Sequence, residues 1–145
     1  MAVVNPYLLF SGNCEEAFNY YKSIFGGDFG YIGRFKDMPP QEENQVTEEY
    51  KDRIMHISLP LSNGSILMGS DSGADNAIIT KGNNVTLSIN TSTKEEADKC
   101  FSGLTAGGTV HMPMNQTFWG DYFGMCEDKF GINWMISFNE KANQG

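Results

Sequence analysis

The chain is short of the residues that mark several functional classes. Its 145 residues include 3 cysteines, 2 histidines and 10 Lys plus Arg, against 18 Asp plus Glu. The cysteines, at positions 14, 100 and 126, make neither a disulfide framework nor a spacing that would close around zinc. They imply free thiols and a soluble, cytoplasmic protein. The net charge of -8 excludes the basic footprint that nucleic acids require and argues against anionic membranes. No apolar run is long enough to cross a bilayer. The opening "MAVVNPYLLF" lacks a basic leader region and is interrupted by Asn5 and Pro6, so it reads as a strand rather than a signal peptide. Without a secretory signal, triplets such as Asn115-Gln116-Thr117 carry no glycosylation meaning. No Gly-x-Gly-x-x-Gly opens a helix, so a nucleotide-cofactor fingerprint is missing. A Ser-His-Asp order is not legible either.

What is present is an ordinary globular mix, 40% apolar and 19% charged, at a length that suits one domain. Within it one phrase is written twice. "CEEAFNYYKSIFGG" begins at Cys14, and "KEEADKCFSGLTAGG" begins at Lys94. In the first copy Asn13 stands as a helix N-cap with Glu16 three residues on. In the second, Thr93 and Glu96 hold the same places. Cys14, Ala17, Phe18, Tyr21, Ile24 and Phe25 recur at helical spacing, as do Ala97, Cys100, Phe101 and Leu104. Gly26-Gly27 and Gly107-Gly108 supply the stops. Burial on these stripes accounts for Cys14 and Cys100.

Strand-like stretches flank each helix. "VVNPYLLF" and "NVTLSINT" precede the two copies as strands of about eight residues. "DFGYIGRF", "IMHISLPL" and "SILMGSD" follow the first, the last two joined at Asn63-Gly64. "TVHMPMNQTF", "YFGMCE" and "INWMISF" follow the second. Each half therefore reads strand, helix, strand, strand, strand. Module one covers about residues 3–72 and module two about 84–139. The helix covers one sheet face, and the polar set Thr86, Ser88, Asn90, Asn133 and Ser137 suggests a solvated hollow at the other. If Met55, Ile57 and Leu59 pack on the helix, then His56 and Ser58 face that hollow. Within the first module, between its second and third strands, residues 37–53 break the pattern with six acids and two bases, a net charge of -4 that is half of the chain's net -8. This acidic loop is either a lid or a solvated insertion. The polar tail after Asn139 is expected to fray.

Three stretches carry a resemblance. They are "PYLLFSGNCEEAFNYYKSIFGG", "RIMHISLPLSNGSILMGSD" and "GGTVHMPMNQTFWGDYFGMCEDKFGINWMISF", and together they span most of the chain. The sequence resembles the PhnB-like branch of the vicinal oxygen chelate superfamily, which includes glyoxalase I, bleomycin-resistance proteins, fosfomycin-resistance enzymes and extradiol dioxygenases. The resemblance implies an α+β fold. Tandem βαβββ modules would form a U-shaped, eight-stranded mixed sheet around a cleft, with the helices on its outer face. It also implies a homodimer. Members that use a divalent ion hold it with His and Glu from the first and last strand of each module. Carried onto this sequence, those places fall on Pro6, Met68, Thr86 and Met135. Proline has no ligand side chain, threonine is a poor ligand, and thioethers suit Cu(I) rather than a hard cation. Met68 and Met135 completed by His56 would be a Cu(I) set. Apolar lining of the cleft is the other reading of the two methionines.

The remaining candidates are weighed singly. His56 is either a cleft base or a hydrogen-bonded structural histidine. His111, in "TVHMPM", has no acid nearby. Acids after Cys126 would raise its pKa rather than activate it. Trp119, in "QTFWGDYFG", could stack on a planar or cationic ligand at the cleft mouth, or pack in the core or a dimer contact. Arg34 and Arg53 flank the acidic loop and could hold a carboxylate or phosphate. The expected ligand-binding set is His56, Trp119, Met68, Met135, Thr86, Ser88, Asn133 and Phe10, with no metal and no cofactor. The expected function is sequestration of an apolar or aromatic small molecule. A metal-dependent lyase, isomerase or dioxygenase with relocated ligands (His56, Asp71, His111 and Glu127) is the alternative, and a structural dimerisation module is the third. Whether any catalysis remains stays open.

Overall fold

In the computed structural model both Glu-Glu-Ala segments are twelve-residue helices, each lying on its own four-stranded sheet. The structure describes residues 2–37, 49–61, 64–73 and 79–139. Most of the acidic loop, Asn63 of the expected turn, and the tail from residue 140 lie outside the described residues. The reading of that loop as a lid or an insertion falls there with it.

The first unit spans Met1–Thr80. It comprises β1 (Tyr7–Phe10), α1 (Cys14–Phe25), β2 (Tyr31–Arg34), a short 3-10 turn (Phe35–Asp37), β3 (Ile54–Pro60) and β4 (Ile66–Asp71). The strand order is β1-β4-β3-β2; β1 runs parallel to β4 and the other pairs are antiparallel. The second unit spans Lys81–Gly145 and repeats the plan. It has β5 (Leu87–Asn90), α2 (Lys94–Thr105), β6 (Thr109–Gln116), β7 (Tyr122–Glu127) and β8 (Asn133–Phe138). Their order is β5-β8-β7-β6, again with only the first pair parallel. The fold is α+β, with two helices and eight strands in two mixed sheets.

The core of each unit follows from two periodicities meeting. On α1, Cys14, Ala17, Phe18 and Tyr21 are fully buried, as the helical spacing requires. They face Ile57, Leu59 and Leu67, which alternate along β3 and β4 and are equally buried. At Gly69 a side chain would not fit. An ideal Cβ there would lie 2.7 Å from Phe18 Cε1 and 2.8 Å from the Leu8 carbonyl oxygen. In the second unit Ala97, Cys100 and Leu104 of α2 cover Cys126, Trp134 and Ile136.

Three expectations change. The opening strands are four residues long rather than eight; in the first, Pro6 has no N–H to continue the ladder. In the first, the Pro6 carbonyl still accepts from Met68 N–H at 3.1 Å, and Asn5 Oδ1 accepts from Ile66 N–H at 3.1 Å. The second change is at Asn13. Its side chain makes no cap bond, whereas Thr93 accepts from Glu96 N–H at 3.1 Å as expected. Asp71, at the end of β4, does the work instead. Its Oδ1 accepts from Gly12 N–H at 2.8 Å and Cys14 N–H at 3.0 Å, and its Oδ2 from Ile54 N–H at 3.0 Å. Third, Met55 is half-buried and Ile54 takes the core place. The pairing of β2 with β3 slips by one residue there, with Gly33 opposite His56 and Arg34 opposite Ile54, and the bulge turns Ile54 inward. The second helix ends as read: α2 stops at Thr105, and Gly107 follows with φ +77°.

Candidate functional site

Strand alternation sorts the side chains of each sheet into a helix-covered face and an opposite face. In the first unit one cross-strand row on the opposite face runs Tyr7, Met68, Ser58, Tyr31. His56 stands beside it, two residues from Ser58. Tyr7 Oη lies 3.1 Å from His56 Nδ1, and the two rings stack with centroids 5.5 Å apart and 25° between planes. Tyr31 approaches the same imidazole, with centroids 5.8 Å apart and a 39° tilt. The Tyr31 ring reaches it by lying across Gly33, where an ideal Cβ would be 2.5 Å from the phenol oxygen. Glycine is therefore part of the arrangement. Both tyrosines remain about half exposed, at 46% and 49%. The result is a wet-edged aromatic surface with one hydrogen-bonded imidazole and a thioether alongside.

The matching row of the second unit runs Ser88, Met135, Met125, Met112. Asn133 and Ser137 share that face of β8, while Trp134 and Ile136 between them are buried against α2. Ser137 Oγ donates to Asn90 Oδ1 at 2.7 Å, and Asn133 Nδ2 to the Gly82 carbonyl at 3.4 Å. Thr86 lies one residue before β5 and is half-buried. Phe123 stands opposite Ser137 on the same face of β7.

His56, Met68, Ser88, Asn133 and Met135 thus lie on the helix-free faces of their own sheets. Phe10 does not. It is 4% exposed and packs edge-on against Phe18 of α1, with centroids 6.2 Å apart, so it is a core residue. Trp119 sits in the turn between β6 and β7, 56% exposed. Its Nε1 donates to Asp121 Oδ2 at 2.9 Å, and its ring meets Phe118 and Phe123 edge-on. Tyr7, Tyr31, Met112, Met125 and Phe123 were not expected as site residues; only the ladder register reveals them.

The alternative ligand set does not gather. Among the described residues no three His, Cys, Asp or Glu side chains are placed to hold one ion. Asp71 is buried and bonded to three backbone N–H groups. His111 is exposed on the edge strand β6. Nor are the two arginines waiting for an anion. Arg34 forks onto Glu15, at 3.1 and 2.7 Å, and donates to the Asp52 carbonyl. That fork holds the Glu15 carboxyl below the usual range, against a smaller opposing effect of burial. Arg53 lies over the Tyr50 ring at 3.8 Å and donates to the Ser72 carbonyl. The thiols are equally committed. Burial first, then the charge of Asp128, pushes Cys126 up to about 11. Burial first, then Asp71 and Glu15, raises Cys14 further, and burial raises Cys100. None is a nucleophile at neutral pH.

Comparison with known proteins gives a consistent answer. A family model described as 3-demethylubiquinone-9 3-methyltransferase matches residues 2–137. Protein YjdN of Escherichia coli (strain K12) is 32% identical over 140 residues, 92% of this chain and 93% of that protein. The crystal structure of protein PA1353 from Pseudomonas aeruginosa is 35% identical with a TM-score of 0.83, covering 96% of this chain and 98% of that one. The PhnB protein from Bacillus cereus is 28% identical with a TM-score of 0.73, covering 94% and 99%. The chain belongs to the PhnB-like family whose model carries the description 3-demethylubiquinone-9 3-methyltransferase.

Proposed function

We propose that this protein binds a small molecule with an aromatic or apolar body on the helix-free faces of its sheets, and that it does so without a divalent metal. The observation that carries the reading is the Tyr7–His56–Tyr31 surface beside Met68. Two half-exposed phenol rings offer apolar area with little conformational entropy to lose, and the imidazole offers one polar contact to fix orientation. Pro6, Met68, Thr86 and Met135, which stand where the resemblance would put ion ligands, do not fit a hard cation. The absence of a gathered His, Cys, Asp or Glu set among the described residues supports the same reading.

The family description speaks of methyl transfer. That chemistry needs a methyl donor, and the sequence offers no Gly-rich turn opening a helix to seat a nucleotide-like one. Binding is therefore the better-supported function. The functional form is a homodimer in the cytoplasm. Exposed apolar side chains, Phe118 at 96% and Val4 at 94%, support an association surface, and three unpaired thiols suit a reducing compartment. None of the described helices is long and apolar enough to cross a membrane.

The test has two arms. Protein purified without chelator is analysed for metals, and planar aromatic fragments are screened by ligand-observed NMR. The expected result is no stoichiometric Zn, Mn, Fe or Ni, together with fragments whose signals are lost in the Tyr7→Ala/Tyr31→Ala variant. Stoichiometric divalent metal, or fragments indifferent to that variant, would overturn the proposal.

A further inference from the structure

Methionine supplies only 8 of 145 residues, yet three successive ladder partners in the second sheet are all methionine. Met112 of β6 is opposite Met125 of β7, and Met125 is opposite Met135 of β8. The equivalent row of the first sheet holds a single methionine, Met68, between Tyr7 and Ser58. Direct cross-strand partners point to the same face, and Met112 keeps its place opposite Met125 although the β6–β7 register shifts on either side of it, between Val110 and Met112 and between Met112 and Asn115. That face is the one away from α2, because Gly124 and Cys126 beside Met125, and Trp134 and Ile136 beside Met135, are buried beneath the helix. Met125 and Met135 are half-buried, and Met112 is 47% exposed. The row is accessible from its β6 end.

We propose that Met112, Met125 and Met135 form a binding site for one Cu(I) ion. Adjacent strands lie about 4.8 Å apart, so the two outer methionines are roughly 10 Å apart at their backbones, with the third midway. An unbranched side chain with three rotatable bonds lets both outer sulfurs lean inward over the central strand. Three neutral thioethers then converge on one point. Soft sulfur ligands of this kind select Cu(I) and discriminate against Mg, Mn and other hard cations. A core role does not account for the row, since it faces away from the helix that forms the core. Glu127, on the same face two residues along β7, adds a negative charge that favours a cation without completing a hard ligand set. All three methionines and Glu127 belong to the second unit.

The experiment is an anaerobic titration of the whole protein with Cu(I) under a reductant, in competition with a chromophoric Cu(I) chelator. Ag(I) serves as a parallel probe of the methionine methyl carbons by NMR. One equivalent of Cu(I) is expected, with Ag(I) shifting the methyl signals of Met112, Met125 and Met135 and leaving that of Met114, whose sulfur packs near Gly124 on the helix side, in place. Replacing all three with leucine (M112L/M125L/M135L) keeps the apolar volume and should weaken Cu(I) binding at least a hundredfold. M125L alone should weaken it about tenfold and serves if the triple variant fails to fold. No saturable Cu(I) binding by the native protein, affinity unchanged in either leucine variant, or Ag(I) shifts confined to other methionines would overturn the proposal.

Discussion

Tyr7 and His56 are 49 positions apart in the chain and share a 3.1 Å hydrogen bond between Oη and Nδ1. The contact spans the sheet from β1 to β3, passing over β4. It fixes the imidazole in one orientation and leaves the Tyr7 ring as a platform next to it. If this surface binds ligand, its variants divide in a defined way. Tyr7→Phe removes one exposed hydrogen bond and should cost under about 1 kcal/mol of stability. Tyr7→Ala and Tyr31→Ala should each weaken a bound aromatic fragment about tenfold, the loss of one ring contact of about 1 kcal/mol or more. Fragment titration by NMR beside thermal unfolding checks both halves. An affinity loss only in step with lost stability would mean the rings are structural.

The two helices start differently although their sequences start alike. Thr93 caps α2 from within, so Thr93→Ala should cost about 1 kcal/mol. Asn13→Ala should cost less than about 0.5 kcal/mol, because the Asn13 side chain makes no cap bond. The corresponding loss in the first unit belongs to Asp71→Ala. It would leave three backbone N–H groups without their acceptor and should cost about 3 kcal/mol or more. Urea unfolding midpoints for the three variants give the ranking. Equal effects of Asn13→Ala and Thr93→Ala would refute it.

The repeat made the fold legible because helices and strands are announced by local period. Both helix stripes and all eight strands follow from spacing in the sequence. What escaped is whatever depends on pairing. Phe10 reads as an inward residue of a first strand, but β1 pairs Tyr7 with Met68 and Phe10 with Asp71. Positions 68 and 71 are an odd number of residues apart, so Phe10 and Met68 must face opposite sides. That register hands the site place to Tyr7. Tyr31 was hidden for a related reason. Its approach to His56 needs the absent side chain at Gly33 and the one-residue slip beside it, and neither has a period. Asp71 looked like a candidate ion ligand because a carboxylate at a strand end has no local signature of the amides it will meet.

Close packing over Gly69 predicts a specific cost. An alanine there would press its methyl against Phe18 Cε1 at 2.7 Å and the Leu8 carbonyl at 2.8 Å. Overpacking of this kind costs about 1–3 kcal/mol. Phe18→Leu in the same chain relieves the side-chain clash but not the backbone one. The double variant should therefore recover only part of what its components lose, a coupling that chemical unfolding of the four proteins in a double-mutant cycle would measure. Strict additivity would show that Phe18 and residue 69 do not press on each other.

The buried thiols set an alkaline limit to stability. An unperturbed thiol titrates near 8.5, whereas burial holds Cys126 at about 11 and raises Cys14 and Cys100 as well. The folded state thus keeps its thiol protons where the unfolded chain has released them. Below about pH 8.5 both states are protonated and the thiols make no pH-dependent contribution. Above that value the unfolded chain gains by ionising, and stability falls with rising pH toward the folded-state values. Thiolate ultraviolet absorbance should be clearly weaker in the native protein at about pH 9.5 than at the same pH in urea. Replacing Cys126 with alanine should flatten the decline in unfolding midpoint between about pH 8.5 and 11. A native protein that shows as much thiolate absorbance at that pH as the urea-unfolded chain would contradict the burial of these side chains.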